Sequence, residues 1–147
     1  YPQVLPFPLR RQRQMCKRDI KLFLLDCGLL GAMSEIPAEK LLVADNGMEE
    51  AKGAFTENYL MSQLVATNDT SVFYYSNDAK LEIDFLIQHG CDLVPIEAKA
   101  EENLRSKSLS TFVANHPQLH GVRFSMSDYR EQDWLTNIPL YAASVYF

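Results

Sequence analysis

Cysteine is scarce in this chain: Cys16, Cys27 and Cys91 are all there is, and no pair has Cys-x-x-Cys spacing. An odd, scattered set excludes a disulfide framework and a cysteine zinc site, and it suits a reducing, cytoplasmic setting. His89, His116 and His120 share no metal-binding spacing and read as surface or turn residues. No apolar run approaches the length of a membrane-crossing helix, and no stretch has the basic start, apolar middle and small-residue cleavage site of a signal peptide. Positive charge is also short: the formal net charge is −5. General attraction to nucleic acid is thereby excluded, and phosphate binding would need a local basic patch. No Gly-x-x-x-x-Gly-Lys-Ser/Thr occurs, so these residues carry no ATP site of that kind. Internal repeats and low-complexity tracts are missing too.

What is present is apolar enough for one sizeable core: 147 residues, of which 47% are hydrophobic, should form one domain with an attached segment. The most informative stretch is Leu81 to Ala100. Two runs of period-two alternation flank His89-Gly90-Cys91-Asp92, and glycine at the first central position of a two-residue loop suits a type II′ hairpin turn. That turn dictates register, pairing Gln88 with Leu93, Leu86 with Pro95, Asp84 with Glu97 and Glu82 with Lys99. Leu81, Ile83, Phe85 and Ile87 then share an apolar face with Val94, Ile96, Ala98 and Ala100. Asp84 and Glu97 face each other on the other side, where like charges repel. Lys99 on the same face, a shared proton or a divalent cation would offset the repulsion; Mg²⁺ is typically held by one or two carboxylates plus water and phosphate oxygens. An Asp on one strand with Glu-x-Lys on the next suits phosphodiester chemistry, the ion generating a nucleophile and the ammonium meeting developing charge. A solvated hairpin face closed by a Glu82–Lys99 ion pair fits the same residues.

Upstream, residues 1–21 combine three prolines with a basic run ending at Lys17, Arg18 and Lys21, the profile of a solvated linker or an acid-binding arm. Ile20 to Leu25 reads as a short strand, and Asp26 is placed to cap a helical turn through Leu29, Leu30 and Met33. Pro37 opens a further short helix that ends by the turn Asp45-Asn46-Gly47. From Met48 to Ala66 the pattern is helical, with Glu57 central in a stripe that includes Gly53, Leu60 and Leu64. A carboxylate there needs a structural partner, or it points at the acidic hairpin face as a third carboxylate. Ser71 to Ser76 is a strand, and a helix with Leu109, Phe112 and Val113 inward stops at His116-Pro117. A strand follows at Val122 to Met126. Trp134 to Leu140 is extended, with Pro139 suited to an edge. Arg105, Lys107 and Arg123 are candidate phosphate contacts.

The element order from Met48 onward resembles the restriction-endonuclease-like, or PD-(D/E)XK, core: α/β, three layers, αβββαβ around a mixed central sheet. That resemblance implies catalytic roles for Glu57, Asp84, Glu97 and Lys99, with Asp84 and Glu97 as ligands to Mg²⁺ or Mn²⁺. A closer resemblance spans nearly the whole chain. Lys21-Leu-Phe-Leu-Leu-Asp-Cys-Gly-Leu-Leu, Lys52-Gly-Ala-Phe-Thr-Glu-Asn-Tyr-Leu, Glu82-Ile-Asp-Phe-Leu, Pro95-Ile-Glu-Ala-Lys-Ala, Asn103-Leu-Arg-Ser-Lys-Ser-Leu and Ile138-Pro-Leu-Tyr-Ala look like the uncharacterised C-terminal domain of bacterial and archaeal AAA-type ATPases. It implies a P-loop ATPase module and a winged-helix segment ahead of this chain, with ATP bound only there. The start at Tyr1, without Met, fits a piece of something longer. Residues 1–47 would be a linker and strand-helix segment, and residues 48–147 the nuclease-like domain. Ile83 stands before Asp84 where the motif has proline.

Two functions follow as expectations. One is a divalent-metal-dependent phosphodiesterase acting on DNA or RNA. The other is a catalytically inactive DNA- or protein-binding regulatory domain of the attached ATPase, oligomeric or not, whose phosphate contacts come from Arg105, Lys107, Arg123 or the basic N-terminal stretch.

Overall fold

The computed structural model describes residues 21–37, 39, 48–67, 71–77, 81–100 and 105–146. Helices α1 (Cys27–Ser34) and α2 (Glu49–Thr67) precede strands β1 (Phe73–Ser76), β2 (Glu82–His89) and β3 (Asp92–Ala98). Helix α3 (Lys107–Asn115) leads to β4 (Gly121–Ser125), β5 (Arg130–Glu131) and β6 (Leu135–Pro139), and a 3₁₀ turn and α4 (Ala143–Tyr146) follow. From α2 to β4 the order is α, β, β, β, α, β, as expected. The six strands form one mixed sheet in the order β1-β2-β3-β4-β6-β5. β3, β4 and β6 run parallel, while β1, β2 and β5 pair antiparallel to their neighbours.

The hairpin keeps the expected register from the turn as far as Phe85–Ile96, while the expected pairs Asp84–Glu97 and Glu82–Lys99 are not part of the ladder. Gln88 pairs with Leu93 and Leu86 with Pro95, around Gly90 at φ 62°, a left-handed value natural to glycine. The alternation, however, breaks in β2. Phe73 lies opposite Leu86 and Tyr75 opposite Ile83, so Asp84 and Phe85 together face Tyr74. This is a β-bulge, two residues against one. Phe85 and Ile87 therefore pack with Leu60 and Leu64 of α2, whereas Ile83 joins Leu86 against Leu109, Phe112 and Val113 of α3. Ile83 was expected beside Phe85; the bulge turns it to the other face.

Helices thus cover both faces of the sheet, and the hairpin is buried at Ile83, Phe85 to Ile87 and Pro95 to Glu97, while its turn end from Gln88 to Leu93 is exposed. The side expected to be charged and solvated holds Leu86, Pro95 and Glu97, all buried. Two further expectations change. Residues 21–25 form no strand; Leu24 N–H donates to Asn58 Oδ1 on α2 (2.7 Å) and Phe23 lies against Phe85 (5.6 Å between ring centroids), so side chains of the domain hold this strap. Pro139 ends β6, which lies between β4 and β5 rather than at an edge. Asp26 caps α1 as its position suggests, Oδ1 accepting from Leu29 N–H at 2.7 Å. The Asp45-Asn46-Gly47 turn, most of the short helix after Pro37 and the basic run before Lys21 lie outside the described residues.

Candidate active site at the carboxyl end of β3

The β2–β3 ladder has its last pair at Phe85–Ile96, and one step further Ala98 N–H donates to Asp84 Oδ2 (3.0 Å). The bulge puts Asp84 at this point, and its carboxylate takes the place of a backbone acceptor. Beyond it opens a cleft of about 430 Å³, lined by Gly53 and Glu57 of α2, Glu82 and Asp84 of β2, and Glu97 and Lys99 at the end of β3. Arg105 and Ser108 border it from the side of α3. The carboxyl end of a strand, where one helix covers each face, is where open α/β sheets commonly form sites.

Glu97 is only 7% exposed. Its Oε1 lies 3.0 Å from Lys99 Nζ, and among the described residues its buried Oε2 has no hydrogen-bond partner. An ionised oxygen left so is costly, and such an atom in a cleft calls for a cation or a donor. In register with Glu97 on β4 is Arg123, and in register with Arg123 on β6 is Asn137, a polar row across the sheet. Arg123 is 2% exposed; its Nε donates to Asn137 Oδ1 (2.8 Å) and its Nη1 to Ser106 Oγ at the start of α3 (3.0 Å). Burial lowers the Arg123 pKa while the Glu97 carboxylate raises it.

Across the cleft sits a cation that the sequence reading did not single out. Lys21 Nζ lies 3.3 Å from Asp84 Oδ1, 3.3 Å from Glu82 Oε1 and 3.5 Å from Glu57 Oε2. Burial pulls its pKa down, but Asp84, Glu57 and Glu82 outweigh that and hold the ammonium above the ordinary lysine value. Glu57 is pushed above the ordinary carboxylate value by burial and by Asp84, with Lys21 acting in the opposite sense. The sequence left the acidic cluster to be balanced by Lys99, a shared proton or a divalent ion, and Lys21, 36 positions from Glu57 and 63 from Asp84, carried no local signal.

The structure therefore brings Glu57, Asp84, Glu97 and Lys99 into one cleft and places Arg105 at its border. Lys107 begins α3 and is exposed, and Arg123 lies beneath the site, inside the sheet–helix packing. The Glu82–Lys99 pair is replaced by Glu82–Lys21 and Glu97–Lys99. Among the described residues no three His, Cys, Asp or Glu side chains are arranged as a ready metal cage, and no helix is long and apolar enough to cross a membrane.

Comparison with curated proteins and with solved structures found no match. Residues 52–142, which span the cleft-forming helix α2 through the 3₁₀ turn, match the family described as "Domain of unknown function (DUF4143)", and the chain belongs to that family.

Proposed function

We propose that this domain has a restriction-endonuclease-like, PD-(D/E)XK fold and hydrolyses phosphodiester bonds of nucleic acid with Mg²⁺ or Mn²⁺ held by Asp84 and Glu97. The observation that carries this is the buried Glu97 Oε2, without a hydrogen-bond partner among the described residues, in the same cleft as Asp84, with Lys99 on the other Glu97 oxygen. Two carboxylates in a cleft open to water fit a hard cation that keeps several waters and takes the rest of its shell from a phosphate. When bound, such an ion supplies a hydroxide near neutral pH and screens the phosphate.

The chain's own groups divide the remaining work. Lys99, positioned by Glu97 Oε1, orients the attacking water and meets charge developing on the phosphate. Glu57, whose pKa is raised by burial and by Asp84, is suited to exchange a proton with that water. Arg105 and Lys107 are exposed near the start of α3, where flanking phosphates would pass. Arg123 supports Glu97 and Ser106 from below. The motif resemblance further supports a P-loop ATPase module and winged helix on the same polypeptide, with ATP bound there.

A second reading, a catalytically inactive DNA- or protein-binding regulatory domain of that ATPase, draws on Lys21, which already neutralises part of the acidic cluster. Mn²⁺ titration by calorimetry, followed by cleavage assays on single- and double-stranded DNA and RNA, separates the two. Saturable Mn²⁺ binding that is lost in Asp84→Asn and in Glu97→Gln supports the enzyme, as does a fall in cleavage on the order of 10²-fold in Lys99→Met with ion binding kept. Cleavage that survives Glu97→Gln would sink it.

A further inference from the structure

Asp84 has two carboxylate oxygens, and both are engaged: Oδ2 accepts from Ala98 N–H at 3.0 Å and Oδ1 lies 3.3 Å from Lys21 Nζ. Lys21 reaches the cleft from a strap, residues 21–26, that is neither helix nor strand. Leu24 N–H bonds to Asn58 Oδ1 and Phe23 leans on Phe85, while Leu22 and Leu25 are 71% and 85% exposed. An ammonium among three carboxylate oxygens from two elements stands where a cation is wanted, on the same carboxylate that a divalent ion would use. Meanwhile Glu97 Oε2, buried in the same cleft, is not reached by any donor among the described residues.

We propose that Lys21 is a tethered counter-cation that competes with the divalent ion for Asp84, so that seating of the 21–26 strap and binding of the ion oppose each other. The inference rests on the metal-site reading above. With Lys21 seated, the approach of a divalent ion to Asp84 Oδ1 meets a full positive charge at contact distance. With Lys21 withdrawn, Glu57, Glu82 and Asp84 are left together without their ammonium, and the ion replaces it. Because such coupling is reciprocal, whatever pulls on the strap from its N-terminal side tunes ion affinity, and the ion loosens the strap by the same factor. The strap thereby becomes a regulatory link between the cleft and the chain that precedes it.

The test is Mn²⁺ calorimetry on the full chain as wild type, Lys21→Met, Asp84→Asn and the double variant. The expected result is binding about tenfold tighter in Lys21→Met than in wild type, and its loss when Asp84→Asn is added. Equal or weaker binding in Lys21→Met, with loss in Asp84→Asn, overturns the competition and leaves the metal site standing. No binding in either wild type or Lys21→Met overturns both. Should Lys21→Met not fold, hydrogen exchange on the wild type decides: added Mg²⁺ should speed exchange of the Leu24 amide several-fold, and unchanged or slower exchange there overturns the proposal.

Discussion

Glu57 shows how far residue chemistry departs from what its neighbours in the chain suggest. Its folded pKa is raised, by burial first and by Asp84 next, so the proton is bound more tightly in the folded than in the unfolded state. A raised carboxyl pKa contributes stability that is fully present below the unfolded value, near 4.5, and is lost as pH rises through the folded value. Ionised Glu57 is therefore a liability at neutral pH. Glu57→Gln should raise the melting temperature at pH 7 and give no gain below about pH 4; scanning calorimetry across that range checks it. Arg123 is likewise a charge that burial disfavours, its pKa lowered although the Glu97 carboxylate works against that, and its hydrogen bonds to Asn137 and Ser106 offset part of the cost. Arg123→Leu removes one of the two donors to Asn137 Oδ1, Ser125 Oγ remaining, and takes the facing cation from Glu97, and should cost about 1–3 kcal/mol in urea unfolding. The sequence marked Glu57, Asp84, Glu97 and Lys99 as candidates through the resemblance to the PD-(D/E)XK core added to their local spacing; it misplaced Arg123 because an arginine on a strand looks the same outside and inside.

Among elements, the hairpin and the helices were the most legible. The Gly90 turn dictates register through backbone geometry over four residues, and Leu109, Phe112 and Val113 repeat at helical spacing, so both needed only nearby residues to be recognised. The bulge in β2 was not legible. It arises where β1 pairs with two residues of β2 in the span of one, and β1's register is decided by long-range packing. It matters for function, since bulges re-aim side chains, and here one brings Asp84 to the cleft and sends Ile83 to the α3 side. Helix α1 depends on its cap more than on burial, because none of its residues is buried. Asp26→Ala should cost about 1 kcal/mol and show as faster amide exchange within α1, with little change in the melting of the sheet.

At the scale of the whole molecule, two apolar clusters share the sheet between them. Leu60 is fully buried in one and Leu109 in the other, and β2 contributes to both. The two faces should therefore unfold together. Leu60→Ala and Leu109→Ala should each cost about 2–5 kcal/mol and shift one common transition; two separate transitions by circular dichroism and Trp134 fluorescence would contradict this. What the sequence by itself determined was the order of elements, the hairpin register from the turn to Phe85–Ile96 and the carboxylate–lysine spacing, since periodicity and turn chemistry act over two to four residues. Only the tertiary structure decided that Ile83 turns to α3, that Arg123 lies beneath Glu97, and that Lys21 enters the cleft. Lys21 meets Glu57 across 36 positions and Asp84 across 63, distances along the chain over which no local pattern carries information and at which burial and charge balance alone select the partner.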